Sequence, residues 1–184
     1  MEGVVRTRVG YAGGTTPDPT YHALGDHTET LQVDFDPERI SYEELLDVFW
    51  GSHDPRRTPW SVQYKNVVFV HDEEQRRAAE RTRERMAEML ASDVRTEILG
   101  AGRFYRAEGY HQKYRLRGSR TFSREYETIY PQEHDFVDST AVARVNGYLA
   151  GHGDLEQLES HIDRLGLSPS AMEQLRSHVG RRRR

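Results

Sequence analysis

Val4-Val5-Arg6-Thr7-Arg8-Val9-Gly10-Tyr11-Ala12-Gly13-Gly14-Thr15-Thr16-Pro17-Asp18-Pro19 sets the pattern for the whole chain. Val4, Val5, Val9 and Tyr11 lie around Arg6, Thr7 and Arg8, and this β-branched composition predicts a strand. Ala12-Gly13-Gly14 stops it. The following threonines and prolines have turn chemistry throughout, because glycine permits positive φ and each proline fixes its own. Beyond the loop, Leu31, Val33 and Phe35 alternate with Thr30, Gln32 and Asp34, the pattern of a second strand with one buried face, and Asp36-Pro37 closes it.

Ser41 with Glu44 three residues on forms a capping box, and Tyr42, Leu45, Leu46 and Phe49 recur at helical spacing, so a helix is predicted from Tyr42 to Trp50. Gln63 to His71, built around Val67-Val68-Phe69-Val70, reads as a buried strand. Asp72 to Leu90 reads as a surface helix that touches the core through Ala78, Ala79, Met86, Met89 and Leu90. Val94, Thr96, Ile98 and Leu99 suggest a further strand. An aromatic-rich segment from Gly102 to Leu116 precedes a change of composition near Gly118. After it, 120–129, 139–149, 155–165 and 169–179 read as short helices. This order predicts an α+β, two-layer, ferredoxin-like sandwich without its opening elements at 1–117, and a helical extension at 118–184.

Among 184 residues, 35% are hydrophobic and 30% charged, and no apolar run has the length of a membrane span. No secretory signal is visible in Met1 to Arg8, which makes the cytoplasm the default expectation. A net charge of −4 argues against a general nucleic-acid surface. Arg181 to Arg184 read as a solvated terminus. With no cysteine, the chain itself supplies no disulfide, thiolate ligand or cysteine nucleophile.

Three residues are candidates for chemistry. Glu29, at a strand start, reads either as a solvated edge carboxylate or as a proton donor whose pKa is raised by apolar walls. Tyr21 and Tyr64 read either as half-buried structural tyrosines or as phenols that converge with Glu29 on one oxygen atom and stabilise the charge developing there. A metal site at His22, His27 and Glu29 was weighed against these, but the spacing matches no specific ligand motif. Gly100-Ala101-Gly102 lacks the remaining residues of a phosphate loop and reads as a turn.

Several stretches together resemble the A-type peptide methionine sulfoxide reductases: Val9-Gly10-Tyr11-Ala12-Gly13-Gly14, Pro19-Thr20-Tyr21, His27 to Glu29, Val33 to Pro37, Ile40 to Leu46, Phe49-Trp50, His53-Asp54-Pro55, Gln63-Tyr64, Thr96-Glu97-Ile98, Phe104-Tyr105, Ala107-Glu108 and Tyr110-His111-Gln112. The resemblance implies reduction of methionine-S-sulfoxide, free or in oxidised proteins, through a cysteine that becomes a sulfenic acid and is restored by a thiol reductant such as thioredoxin, with no bound cofactor. Residue by residue, it makes Glu29 the proton donor and Tyr21 and Tyr64 the holders of the sulfoxide oxygen. The family's Gly-Cys-Phe-Trp signature is missing, and with it the nucleophile, an aromatic methyl pocket, one strand and one helix. Pro59 or Trp60 stands where the family carries an aspartate. Two readings follow: a reductase that this chain represents from an internal methionine onward, or a non-catalytic module that binds oxidised methionine or a partner protein. A third makes the helical extension the working part.

Overall fold

The computed structural model describes residues 1–181, so Arg182 to Arg184 of the arginine terminus lie outside the described residues. In chain order the elements are β1 (Val4–Ala12), β2 (Thr28–Phe35), α1 (Tyr42–Gly51), β3 (Val67–Val70), α2 (Glu73–Leu90), β4 (Glu97–Gly100), β5 (Tyr105–Arg106), α3 (Tyr114–Arg117), α4 (Arg120–Ile129), α5 (Glu133–Asp138), α6 (Thr140–Ala150), α7 (Leu155–Glu159) and α8 (Pro169–Arg181). None of the described helices is long and apolar enough to cross a membrane.

The α+β architecture agrees with the sequence, and the sheet is in two pieces. One has the order β2-β1-β5, all antiparallel neighbours; the other is the parallel pair β3-β4, connected through α2. β2 and β3 therefore each keep one edge without a strand partner among the described residues. In α1, the Glu44 amide donates to Ser41 Oγ at 3.2 Å and the Ser41 amide donates to Glu44 Oε2 at 2.8 Å, which completes the capping box. Leu46 and Trp50 of α1 pack with Val68 and Val70 of β3 and Ala78 and Ala79 of α2 to form the smaller core.

Three local expectations need correction. The strand anticipated from Gln63 to His71 is only Val67–Val70, because the parallel partner offers just four residues; Gln63 and Tyr64 lie in a preceding 3-10 turn. On α2 the inward stripe runs through Ala78, Ala79, Thr82 and Met86, and Met89 falls off it, 68% exposed. On β2 the face of Leu31, Val33 and Phe35 is not the well-buried one: Leu31 is 60% exposed. The opposite face carries a charged network, in which Arg8 donates to Asp138 of α5 at 2.6 and 2.9 Å and ion-pairs with Asp34 at 3.2 Å.

Beyond its short pairing with β5 at Gly10 and Tyr11, the second edge of β1 is occupied by side chains. Gln112, 1% exposed, accepts the Val9 amide at 3.1 Å and donates to the Val9 carbonyl at 2.7 Å, the double bond that a neighbouring strand would otherwise supply. Two residues back, Lys113 Nζ donates to the Thr7 carbonyl at 2.8 Å, and two further back, Thr140 Oγ1 donates to the Val5 carbonyl at 2.6 Å. Donors thus recur at the strand's period of two, and they come from the start of the helical half.

That half holds the larger core. Leu116, Phe122, Tyr126, Phe136, Leu158 and Leu175 are among its buried members. Leu116 precedes the expected change of character at Gly118 and is already inside this cluster. Burial in such a cluster contributes about 1.5–3 kcal/mol for each large apolar side chain.

We predict that Leu158→Ala, at a fully buried position, lowers unfolding free energy by about 2–5 kcal/mol in urea titrations. Leu31→Lys should change it by less than about 0.5 kcal/mol; equal losses would contradict this division of the core. Burial pushes the Lys113 ammonium down to about 8. Folding thus disfavours its charged form, and the linked stability rises as pH increases from 8 toward the ordinary lysine value of 10.5. A carbon-13 titration of the Lys113 Cε should give a midpoint near 8, whereas one at 10.5 would contradict the burial.

Candidate active site

The loop after β1 is held by one aspartate and one histidine. Asp26 accepts the Thr15 and Thr16 amides at 2.8 and 3.0 Å and both hydroxyls at 2.9 and 2.7 Å, which together hold its carboxyl well below the usual carboxylate range. His27, 1% exposed, accepts the Gly14 amide at Nδ1 (3.2 Å) and lies with Nε2 2.8 Å from the Thr16 carbonyl, which fixes the Nε2–H tautomer. Both ring nitrogens therefore serve the loop. Among the described residues no group of three histidine or acidic side chains is placed to hold a metal. Gly13 has φ of +82°, and a Cβ there would meet the Phe69 ring at 2.6 Å, so this residue permits both the turn and the approach of β3.

Glu29, Tyr21 and Tyr64 each have neighbours that hold their segments in place. Glu29 stands directly opposite Tyr11 in the β1–β2 register, so both side chains project to the same side of the sheet. Gln63 Nε2 donates to Glu29 Oε1 at 2.7 Å, which ties the carboxylate to the 3-10 turn that ends in Tyr64. The Tyr64 ring lies 5.0 Å from that of Trp60, which is 83% exposed. On the other side, the buried Tyr11 hydroxyl donates to Glu108 at 2.6 Å, and the second oxygen of Glu108 accepts the Tyr21 amide at 3.0 Å. The Tyr21 ring then contacts His111 with centroids 4.7 Å apart.

Tyr11, Glu108 and Gln63 were not singled out as site residues from the sequence, although all three fall in stretches that carried the resemblance. Their role depends on pairings 34 to 97 positions apart, which no local pattern reveals. Burial, followed by the bond to Glu108, raises the Tyr11 phenol well above the usual tyrosine range, so it stays protonated as a donor. For Glu108, burial works upward, but the Tyr11 hydroxyl and the Tyr21 amide outweigh it and the net shift is downward. Glu108 is thus an anionic clasp between strand and loop. Glu29, Tyr21 and Tyr64 are all exposed, with Tyr21 at 39% and Tyr64 at 42%.

Residues 1–145 match the family model described as peptide methionine sulfoxide reductase. The chain belongs to the peptide methionine sulfoxide reductase family. The match runs past Gln112, where the quoted motifs end, into α6. A peptide methionine sulfoxide reductase of Drosophila melanogaster is 42% identical over 179 residues, covering 96% of this chain and 72% of that protein. Peptide methionine sulfoxide reductase A5 of Arabidopsis thaliana is 38% identical, covering 89% of this chain and 65% of its own length. The solved methionine sulfoxide reductase A of Corynebacterium diphtheriae superposes with a TM-score of 0.53 at 31% identity, over 65% of this chain and 66% of that one. The reduced form of Mxr1 from Saccharomyces cerevisiae gives 0.57 at 26% identity, over 71% and 74%. The chain has no cysteine among its 184 residues.

Because the Glu108 carboxyl lies below its ordinary value of 4.5, its bond to the Tyr21 amide contributes order above that pH and is lost only as pH falls further, through the lowered value. A nitrogen-15 titration should show the Tyr21 amide shift moving with a midpoint below pH 4.5. A midpoint above 4.5 would contradict the assignment. Glu108→Ala should raise exchange of that amide by about tenfold, the equivalent of one lost hydrogen bond of ~1.4 kcal/mol.

Proposed function

We propose that this chain is the sulfoxide-recognising part of a peptide-methionine (S)-S-oxide reductase, and that Glu29, Tyr21 and Tyr64 take the sulfoxide oxygen. The observation that supports this reading is a chain of contacts: Gln63, next to Tyr64, bonds Glu29, and Glu108 bonds both Tyr11, the register partner of Glu29, and the Tyr21 amide. The two phenols donate hydrogen bonds to the oxygen, and the Glu29 carboxyl supplies a proton as negative charge grows there.

Reduction also needs a thiol. In the balanced reaction a thiolate sulfur attacks the sulfoxide sulfur, one proton is taken up and the oxygen is transferred to the attacking sulfur, giving methionine and a sulfenic acid; a second thiol pair then returns the sulfenic acid to thiol, with loss of water, and is itself oxidised to a disulfide. No residue of this chain can be that nucleophile, because it contains no cysteine. The reading therefore assigns recognition and proton supply to these residues and leaves sulfur chemistry to a thiol outside them, with a thioredoxin-like reductant as partner. The absence of cysteine equally favours the second reading, a module that binds oxidised methionine without reducing it. Both share the same ligand.

Calorimetry with N-acetyl-methionine-S-sulfoxide methylamide and its R-epimer tests this. The S-epimer should bind more tightly, and Glu29→Gln or Tyr21→Phe should weaken it by about two- to tenfold, one hydrogen bond of ~0.5–1.5 kcal/mol each. With thioredoxin and its reducing system present, the chain should release no methionine. Equal binding of both epimers would overturn the site, and turnover by the cysteine-free chain would overturn the division of labour.

A further inference from the structure

Beside the sulfoxide-facing residues runs a second surface that the proposed chemistry does not use. The Tyr21 ring touches His111, and the His111 ring lies 4.2 Å from that of Tyr110. Tyr110, 56% exposed, forms one wall of a groove between the start of the helical half and the last turns of α8. Tyr114, 69% exposed, lies further along it. Neighbouring exposed rings of this kind mark recognition surfaces rather than ordinary solvent-facing positions.

The groove is also cationic in a chain whose net charge is −4. Arg115, Arg117 and Arg181 line it, against Glu173 as the one carboxylate of the lining among the described residues. Arg117 is already engaged with Glu133 at 2.7 Å, and Arg181 is bonded to Ser177 rather than to an acid. Arg115 is exposed and makes no ion pair among the described residues. Aromatic walls with uncompensated guanidinium groups suit an extended peptide carrying carboxylates.

We propose that this groove holds the acidic segment flanking an oxidised methionine in a protein substrate, and so selects acidic sites of damage for the Glu29–Tyr21–Tyr64 face. The proposal rests on the function proposed above and adds a substrate class to it. The path from Tyr21 toward Arg115 follows two ring contacts, through His111 to Tyr110, and then the Tyr110 and Tyr114 side of the groove, so an extended peptide reaches it through residues several positions from the sulfoxide at roughly 3.3 Å each. Free methionine sulfoxide would gain nothing from the groove.

The test uses the full chain and four ligands: the blocked methionine-S-sulfoxide, a peptide with the S-sulfoxide flanked on each side by about five aspartates and glutamates, the same peptide with lysines, and the acidic peptide with unoxidised methionine. Fluorescence anisotropy at low salt should show the acidic sulfoxide peptide binding about tenfold more tightly than the lysine peptide, as expected for one or two ion pairs at a partly desolvated rim. That difference should shrink at about 0.5 M salt, where charges are screened within a few ångströms. Arg115→Glu, with an unchanged melting curve, should abolish or reverse it.

If the blocked sulfoxide binds but the acidic and lysine peptides are equal, the groove proposal is overturned and the site reading stands. If the blocked sulfoxide does not bind, the site reading fails, and the proposal with it. If the acidic peptide binds as well with methionine as with the sulfoxide, the groove serves an acidic partner instead, which also overturns the proposal.

Discussion

The carboxamide of Gln112 fixes the edge of β1 that faces away from β2. It sits where a strand would pair with β1, satisfies both backbone groups of Val9, and donates to Ala107 as well at 3.0 Å. Buried backbone groups must find partners, and here the partners are side chains from the entrance to the helical half. Lys113 and Thr140 continue the same edge at alternate residues, and the Arg8–Asp138 pair fixes it from the sheet face. β1 cannot shift register without breaking these bonds, and the Tyr11–Glu29 pairing depends on that register.

Placement of the site follows from this constraint. Tyr11 is rigid because its strand is tied on both sides, and its hydroxyl fixes Glu108, which in turn fixes the amide of Tyr21. The intervening loop is secured separately by Asp26 and His27. Glu29, Tyr21 and Tyr64 themselves remain exposed, while the groups beside them are buried or bonded. Rigid support beneath accessible donors is the physical requirement for stabilising charge on an incoming oxygen. The helical half, which contains the larger core, contributes to the site's rigidity through β1, although it places none of the three candidate residues.

Much of the architecture was legible in local pattern. The capping box at Ser41–Glu44, the valine run at β3 and the glycine-rich exit from β1 each specify their element through short-range chemistry. The helices α4, α6 and α8 fall close to where their spacing predicts. Local pattern could not show that Asp34 and Gln32 face a charged network while Leu31 faces solvent, because alternation identifies two faces without saying what covers either. Glu29, Tyr21 and Tyr64 were recognisable through family motifs, whereas Glu108 and Gln63, which tie them together, act across long sequence separations. The helix α5 was missed because its six residues are too few for a periodic signal.

The most direct test of the account is to map where methionine-S-sulfoxide binds on the nitrogen-15-labelled chain. The account predicts that amide shifts on titration concentrate at residues around Tyr21, Glu29, Gln63–Tyr64 and Glu108, and that the R-epimer produces much smaller changes at the same positions. Shifts centred elsewhere, or none at saturating ligand, would contradict recognition of the sulfoxide by this face.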